Sequence, residues 1–445
     1  MHRFNKVTKA NPQFIVFIIG IILLFSHAAR AGETPEVYSL EKTIQTAISN
    51  NIGILKAKEK INAATAAKNV SRANFFPTFN ATYQYKHNYE EISNPLLGIT
   101  TPENEYVFVA SVTQPLFAGF SILNSYKLAV LGLDAAGLNE KIIRLDIIYK
   151  ASRAYFSVLK AIKIQSVLED TVTLLLSHEN VAKSFYEVGM TPLNDLLKSQ
   201  VELANSRQDL TIARNNLETA KADFNNILRR NVSAPVNLED ILDHIPLAKD
   251  LPYYLDLAEK NRLEIKLADL QIEMAEKEVA IAKKDYYPTV TLSGTRYQRG
   301  TNWDVDGGSG ISDPNSWNIA AVASWNFWEW GKTCYGEKEK KSQLEQSKLN
   351  RDEILDNIRV EVKQYFLRTR EAESNIITVQ KAIEQAKENL RISQERYKEQ
   401  ISTSTDVLDA QTLLSRTMTN YYNALYDFKI SKASLSRALS MEIIE

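Results

Sequence analysis

Residues 79–89 read FNATYQYKHNY, with Phe79, Ala81, Tyr83, Tyr85, His87 and Tyr89 alternating with Asn80, Thr82, Gln84, Lys86 and Asn88. A period of two belongs to a β-strand with one apolar, aromatic-rich face. A loop with Pro95, Gly98 and Pro102 follows, and Tyr106 to Phe117 reads as the returning strand, so 78–117 is a hairpin. Strands of about 9–11 residues with aromatic ends suit a tilted crossing of a bilayer. Beyond the hairpin the spacing changes to three and four, with Leu138, Ile142, Leu145, Tyr149, Ser152, Phe156 and Leu159 forming a helical seam. A helix from about Ser121 to Val188 would be on the order of 100 Å long at 1.5 Å per residue, a rod rather than part of a compact globule.

The same order recurs 211 residues later. Ala47, Asn50, Ile54 and Ala57 fall on Ala258, Asn261, Ile265 and Ala268, and Tyr186, Asp195, Leu197 and Gln200 on Tyr397, Asp406, Leu408 and Gln411. Phe117 falls on Trp328, and a second hairpin occupies 289–328, with strands from Val290 to Arg299 and from Trp317 to Trp328. The seam returns from Leu355 to Tyr397, and no Gly or Pro follows Gly336. So long a period marks a duplicated half, not a short solenoid repeat. The repeats are expected at 32–230 and 253–445, with 231–252, which carries Pro235 and Pro246, as the linker. Turning tips are expected near 186–200 and 397–411.

Composition agrees. Only 15 Gly and 12 Pro occur in 445 residues, too few for a turn-rich all-β, collagen-like or Pro/Gly-rich disordered chain. A formal charge of −1 gives no case for nucleic acid. One cysteine, Cys334, rules out a disulfide framework or a Cys-based zinc site within the chain. Residues 1–31 hold Arg3, Lys6, Lys9 and Arg30 without an acid, an apolar run from Phe14 to Phe25, and Ala29-Arg30-Ala31, the pattern of a secretory signal with its cleavage site. The exported chain would have no transmembrane helix.

Catalytic and cofactor chemistry finds no support. Gly331-Lys332-Thr333 sits between strand and helix, but Asn326 occupies the place of the first glycine of a phosphate loop. Asp304 and Asp306 lack the twelfth-position Glu of a calcium loop, and the five histidines show no ligand spacing. No enzyme, metal or cofactor is expected.

Four strands cannot close a barrel, and open edges in lipid leave backbone groups unsatisfied. Since spanning barrels need about eight strands or more, several chains must share one. The fold class is therefore mainly α with a membrane β-barrel part: a long α-helical coiled-coil barrel plus four β-strands per chain.

This layout resembles the TolC-type outer-membrane efflux factors over essentially the whole exported chain. Gln114-Pro115-Leu116-Phe117-Ala118-Gly119 looks like the family's strand-to-helix junction, and Trp325-Asn326-Phe327-Trp328-Glu329-Trp330-Gly331 is a looser copy. Tyr186-Glu187-Val188-Gly189 with Asp195, and Tyr397 with Asp406-Val407-Leu408-Asp409, look like the periplasmic tips. The resemblance implies a homotrimer with a 12-stranded barrel in the outer membrane of a Gram-negative bacterium, above a periplasmic tunnel. It would be the passive exit duct of a multi-component efflux or type I secretion system. A periplasmic adaptor (membrane-fusion protein) and an inner-membrane pump would dock below, and outer-membrane lipid would surround the barrel. The rival reading is a periplasmic coiled-coil adaptor or scaffold, which leaves the two aromatic hairpins unexplained.

The same resemblance assigns residues. Asp406 and Asp409 match an aspartate ring that narrows the closed tunnel, where three-fold symmetry would crowd carboxylates and raise their pKa values. Tyr397 and Asp195 match a hydrogen-bonded latch. Tyr186, Gly189, Met190 and Thr191, with Gln400, Ile401 and Ser402, form the adaptor-docking tips, Gln400 standing where the family has glycine. Tyr83, Tyr85, Tyr106, Phe117, Trp317, Trp325 and Trp328 would make the aromatic membrane belt. Each role has a plainer rival: Asp195 and Asp406 as helix N-caps, Asp409 on a solvated face, Tyr397 as seam packing, the aromatics as strand packing.

Overall fold

The computed structural model describes residues 37–94, 99–241, 243, 245–308, 311 and 313–442. The signal segment 1–31 lies outside the described residues. The elements run β1 (Val37–Tyr38), α1 (Leu40–Asn50), α2 (Ile52–Ala73), β2 (Thr78–His87), β3 (Ile92–Asn94), β4 (Ile99–Thr101), β5 (Asn104–Ala118), α3 (Ser121–Glu187) and α4 (Leu193–Ile227). The second half continues with β6 (Asn237–Leu238), α5 (Leu251–Asn261), α6 (Leu263–Ala282), a 3₁₀ turn (Lys283–Tyr286), β7 (Thr289–Gly300), β8 (Asn315–Ser324), α7 (Lys332–Lys398) and α8 (Ser404–Ala438).

The repeat is visible in the lengths. Helices α3 and α7 both have 67 residues, and α4 and α8 both have 35. At 1.5 Å per residue the longer pair spans on the order of 100 Å. In each half a long helix and its shorter successor form an antiparallel hairpin, and α8 also packs along α3. Small seam residues (Ala151, Ser152, Ala372, Ala386) are buried, which lets these helices run close together.

The four strands form one antiparallel sheet in the order β2-β5-β7-β8. Thr78 faces Thr113, Tyr85 faces Tyr106, Ser111 faces Thr295 and Thr289 faces Ser324. The region between β2 and β5, expected as a plain loop, contains the small β3–β4 hairpin. The last strand is shorter than expected: β8 ends at Ser324, not Trp328. Its partner β7 begins opposite at Thr289, directly after Pro288, which has no N–H to extend the ladder. Trp325, Phe327 and Trp328 therefore belong to the connection into α7.

Midway along the rods the segment between the halves is packed rather than loose. Strand β6 pairs in parallel with β1. The Tyr155 hydroxyl donates to the Glu239 carbonyl, Tyr426 to the Asp240 carboxylate at 3.1 Å, and Lys163 pairs with Asp240 at 2.5 Å. Tyr155, Phe224 and Tyr426 are fully buried here with Val158 and Leu228, each large side chain contributing about 1.5–3 kcal/mol of apolar burial. A charged cluster locks the second half in register. Arg437 bonds Asp146 at 2.5 Å and Glu264 at 2.7 Å, while Arg262 bonds Glu264 at 2.8 Å and Glu361 at 2.7 Å. Burial opposes the charge on Glu264, but Arg262 and Arg437 outweigh it and hold its pKa below the usual carboxylate value.

Candidate functional site at the helical tips

Both hairpins turn with the same backbone. Gly189 lies in the left-handed region at φ 74°, its N–H donating to the Tyr186 carbonyl at 2.9 Å and that of Met190 to Phe185 at 2.8 Å. Gln400 takes the same conformation at φ 60°, with N–H bonds to Tyr397 at 3.0 Å and from Ile401 to Arg396 at 2.8 Å. Both are Schellman endings, so the loss of glycine at Gln400 leaves the turn unchanged. The Gln400 amide donates to the Met190 sulfur at 3.0 Å, joining the tips. Val188, Met190 and Ile401 are exposed at the turns and Tyr186 one turn behind. Thr191 and Ser402 are half-buried.

Neither Asp195 nor Asp406, for which N-capping was the plainer rival to a latch or ring role, is itself the N-cap; each sits three residues after it. Thr403 is the N-cap of α8, and Asp406 completes a capping box with it. The Asp406 carboxylate accepts from the Thr403 N–H at 2.8 Å and from its hydroxyl at 3.0 Å, while Thr403 Oγ1 accepts from the Asp406 N–H at 3.3 Å. These bonds lower the Asp406 pKa, so within one chain it is held ionised. Pro192 is the N-cap of α4 and has no N–H, so Asp195 has no reciprocal box. Asp409 is exposed one turn beyond Asp406, over a groove shared with Asn194, Lys198 and Glu202 of α4.

The expected Tyr397–Asp195 hydrogen bond is not made. Tyr397 is buried, and its hydroxyl lies by Ser404 and near Asp195 without a well-formed hydrogen bond to either. Its ring packs 5.1 Å from that of His178 and 5.6 Å from that of Phe185. Burial chiefly, and the charge of Asp195 next, raise its pKa.

A residue without a role in the sequence reading fills the centre. His178 of α3 is buried, and its Nε2 is 2.8 Å from the hydroxyl of Ser404, the first residue of α8. That hydroxyl is 3.1 Å from Ser199 of α4, which donates to the Asp195 carbonyl at 2.9 Å. The signal was present in the sequence: Leu175, His178 and Ala182 keep the seam spacing, and a polar residue at a seam position specifies register.

At the other end the aromatics separate into two levels. Tyr83, Tyr85, Tyr106 and Trp317 sit by the outer strand ends, with Tyr85 and Tyr106 rings 4.8 Å apart. Phe117, Phe120 and Tyr287 cluster at the strand-to-helix junction with centroids 5.1–6.2 Å apart. Exposed Trp325, Phe327, Trp328 and Trp330 lie in the matching junction of the second half. Among the described residues no helix is long and apolar enough to cross a membrane.

A model of the outer membrane efflux protein family matches residues 43–228 and 254–440, one match per half. The chain belongs to the outer membrane efflux protein family. It is similar to the outer membrane protein TolC of Escherichia coli, 23% identical with 96% of this chain and 86% of that protein covered. The toxin and drug export protein A of Aggregatibacter actinomycetemcomitans is 22% identical, over 64% of this chain and 63% of that protein. The solved CmeC outer membrane channel of Campylobacter jejuni shares the fold, with TM-score 0.81, 16% identity, and 91% and 86% of the two chains covered. This outer membrane efflux protein is an exit duct for efflux or secretion, with strands in the outer membrane and helical rods in the periplasm. Membership sets aside the reading as a periplasmic coiled-coil adaptor or scaffold, and the family and fold are those of channel proteins rather than enzymes.

Proposed function

We propose that three copies of this efflux protein close their sheets into one 12-stranded barrel, continued below by a tunnel of their α3/α4 and α7/α8 hairpins. The observation that carries this is the pair of open edges on the four-stranded sheet. Strand β2 is exposed at every position and β8 at nearly every one, while β5 and β7 are flanked on both sides. An unpaired edge in lipid costs several kcal/mol per backbone group. Because the four strands alternate in direction, β8 of one copy meets β2 of the next in antiparallel sense, and the order repeats without a break.

The tips then converge on the axis and form the closed end. Asp409, exposed and outside the capping box, would supply the carboxylate ring, with Asp406 adding its held negative charge one turn nearer the tip. The exposed Val188, Met190 and Ile401 form an apolar end for a periplasmic adaptor, through which an inner-membrane pump would deliver cargo. Reconstituted protein in planar bilayers should show discrete, cation-preferring conductance and run as a trimer in detergent. A detergent-soluble monomer without conductance would sink the reading, and Asp409→Ala with unchanged selectivity would remove the ring.

A further inference from the structure

The tip holds a buried polar chain that crosses from one helical hairpin to the other. His178 (α3), Ser404 (α8) and Ser199 (α4) are linked at 2.8 and 3.1 Å, and Ser199 ends the chain on the Asp195 carbonyl at 2.9 Å. One assignment of protons satisfies every step: the imidazole Nε2–H donates to Ser404, Ser404 to Ser199, and Ser199 to the carbonyl. All three side chains are more than nine-tenths buried. Tyr397 of α7 closes the fourth side with its ring on the imidazole, so each of the four tip helices contributes one residue. Unlike the cap of Asp406, which stays within one turn, this chain fails when the α7/α8 hairpin moves away from α3/α4. Separation would leave buried donors and acceptors without partners until water reached them.

We propose that the His178–Ser404–Ser199 chain is the latch of the closed tip, holding the α7/α8 hairpin to the α3/α4 hairpin where a Tyr397–Asp195 bond was expected. The proposal rests on the exit-duct reading and adds the residues that control its opening. His178 is a positioning residue: it holds α8 and touches no cargo.

The latch has a chemical signature that packing alone lacks. Of the titratable groups on the packed helices, Asp195 from α4 and Tyr397 from α7 face the imidazole. Helix α8 presents Ser404 there, Asp406 being turned to Thr403 and Lys198 of α4 to Thr405 at 3.2 Å. Burial moves the imidazole pKa from 6.5 down to about 4, against a smaller opposing pull from Asp195. A histidine depressed when latched is neutral there and gains its proton when released. Acid therefore favours release through the window from 6.5 to about 4, by up to tenfold per pH unit.

Single-channel recording of the full-length protein in planar bilayers tests this. Ser404→Ala and His178→Phe should raise open probability at pH 7 by about fivefold to tenfold, the worth of one net hydrogen bond. His178→Gln keeps a hydrogen-bonding group and should stay closed while losing the rise in opening between pH 6.5 and 4 shown by the parent. A conducting parent with variants unchanged in open probability and pH profile overturns the latch and leaves the exit duct standing. A parent silent at every pH overturns both. Ser404→Ala removes a single oxygen, so a folding failure of His178→Phe would not remove the test.

Discussion

At the first strand-to-helix junction Gly119 and Phe120 both lie in the left-handed region, at φ 57° and 64°; 211 residues later Trp330 and Gly331 do the same, at 53° and 80°. The backbone is repeated, but the glycine has changed places. The reason lies in the neighbours. A Cβ at Gly119 would stand 2.2 Å from the Lys284 carbonyl oxygen, whereas Trp330 projects into open space. At the helix breaks the halves differ again: Asn51 caps α2 by accepting from the Gly53 N–H at 2.7 Å, while the equivalent Arg262 binds Glu264 and Glu361. Duplication preserved φ and ψ, and each copy then found its own chemistry for holding them.

The largest expected difference between the halves is at these breaks. Arg262→Ala strips two carboxylates of a buried partner and should cost about 3–5 kcal/mol. Asn51→Ala removes one cap and should cost about 1 kcal/mol. Urea titration in detergent at pH 7 measures both, and equal costs would show that the ion-pair cluster adds nothing beyond a cap. The sign with pH follows from Glu264, whose folded pKa is depressed. Its contribution is present above the unfolded value of 4.5 and is lost as pH falls through the lower folded value. Arg262→Ala should flatten that acid limb.

The junctions come next. Gly119→Ala should cost about 3 kcal/mol or more, because the clash is with backbone, which cannot rotate away. Trp330→Ala keeps the same left-handed strain without a clash and should cost less than about 1 kcal/mol. The same urea titration decides, and a mild Gly119→Ala would mean that the 3₁₀ turn at Lys284 yields.

The rods, the hairpins and the duplication were legible because they rest on periodicity, which survives without knowledge of the partners. Helix α3 was expected over Ser121 to Val188 and ends at Glu187. The end of β8 was not legible, because it is decided by Pro288 on the opposite strand. At the tip, Asp406 announced itself by spacing, but which donor it met depended on Thr403, three residues away. His178 was not legible as a site residue because it has no metal-ligand spacing, and its meaning lies in the polar place it takes on the seam. Contacts across 226 residues, such as His178 to Ser404, leave no local pattern.

The caps distinguish the tips by a smaller amount. Thr403→Ala opens the capping box and should loosen the first turn of α8 by about 1 kcal/mol. The matching Pro192 contributes no N–H, so Pro192→Ala should change α4 by only a few tenths of a kcal/mol. Amide exchange in the first turns of α4 and α8 reads both, and similar effects would show that the box is idle.

The smallest effect concerns the left-handed residues of the two turns. Gly189→Ala adds a Cβ that meets no atom within 4 Å, so only the conformational cost of about 1 kcal/mol remains. Gln400 already bears that cost. Gln400→Gly should relieve it while raising the entropy of the unfolded chain, leaving a gain of about 0.5 kcal/mol. Against this stands the lost contact to Met190 at 3.0 Å, a weak sulfur acceptor. Exchange of the Ile401 and Met190 amides, which close the two Schellman turns, measures the balance. If Gln400→Gly speeds exchange at both, the link between tips outweighs backbone strain, and the side chain at Gln400 is there to join the hairpins rather than merely tolerated.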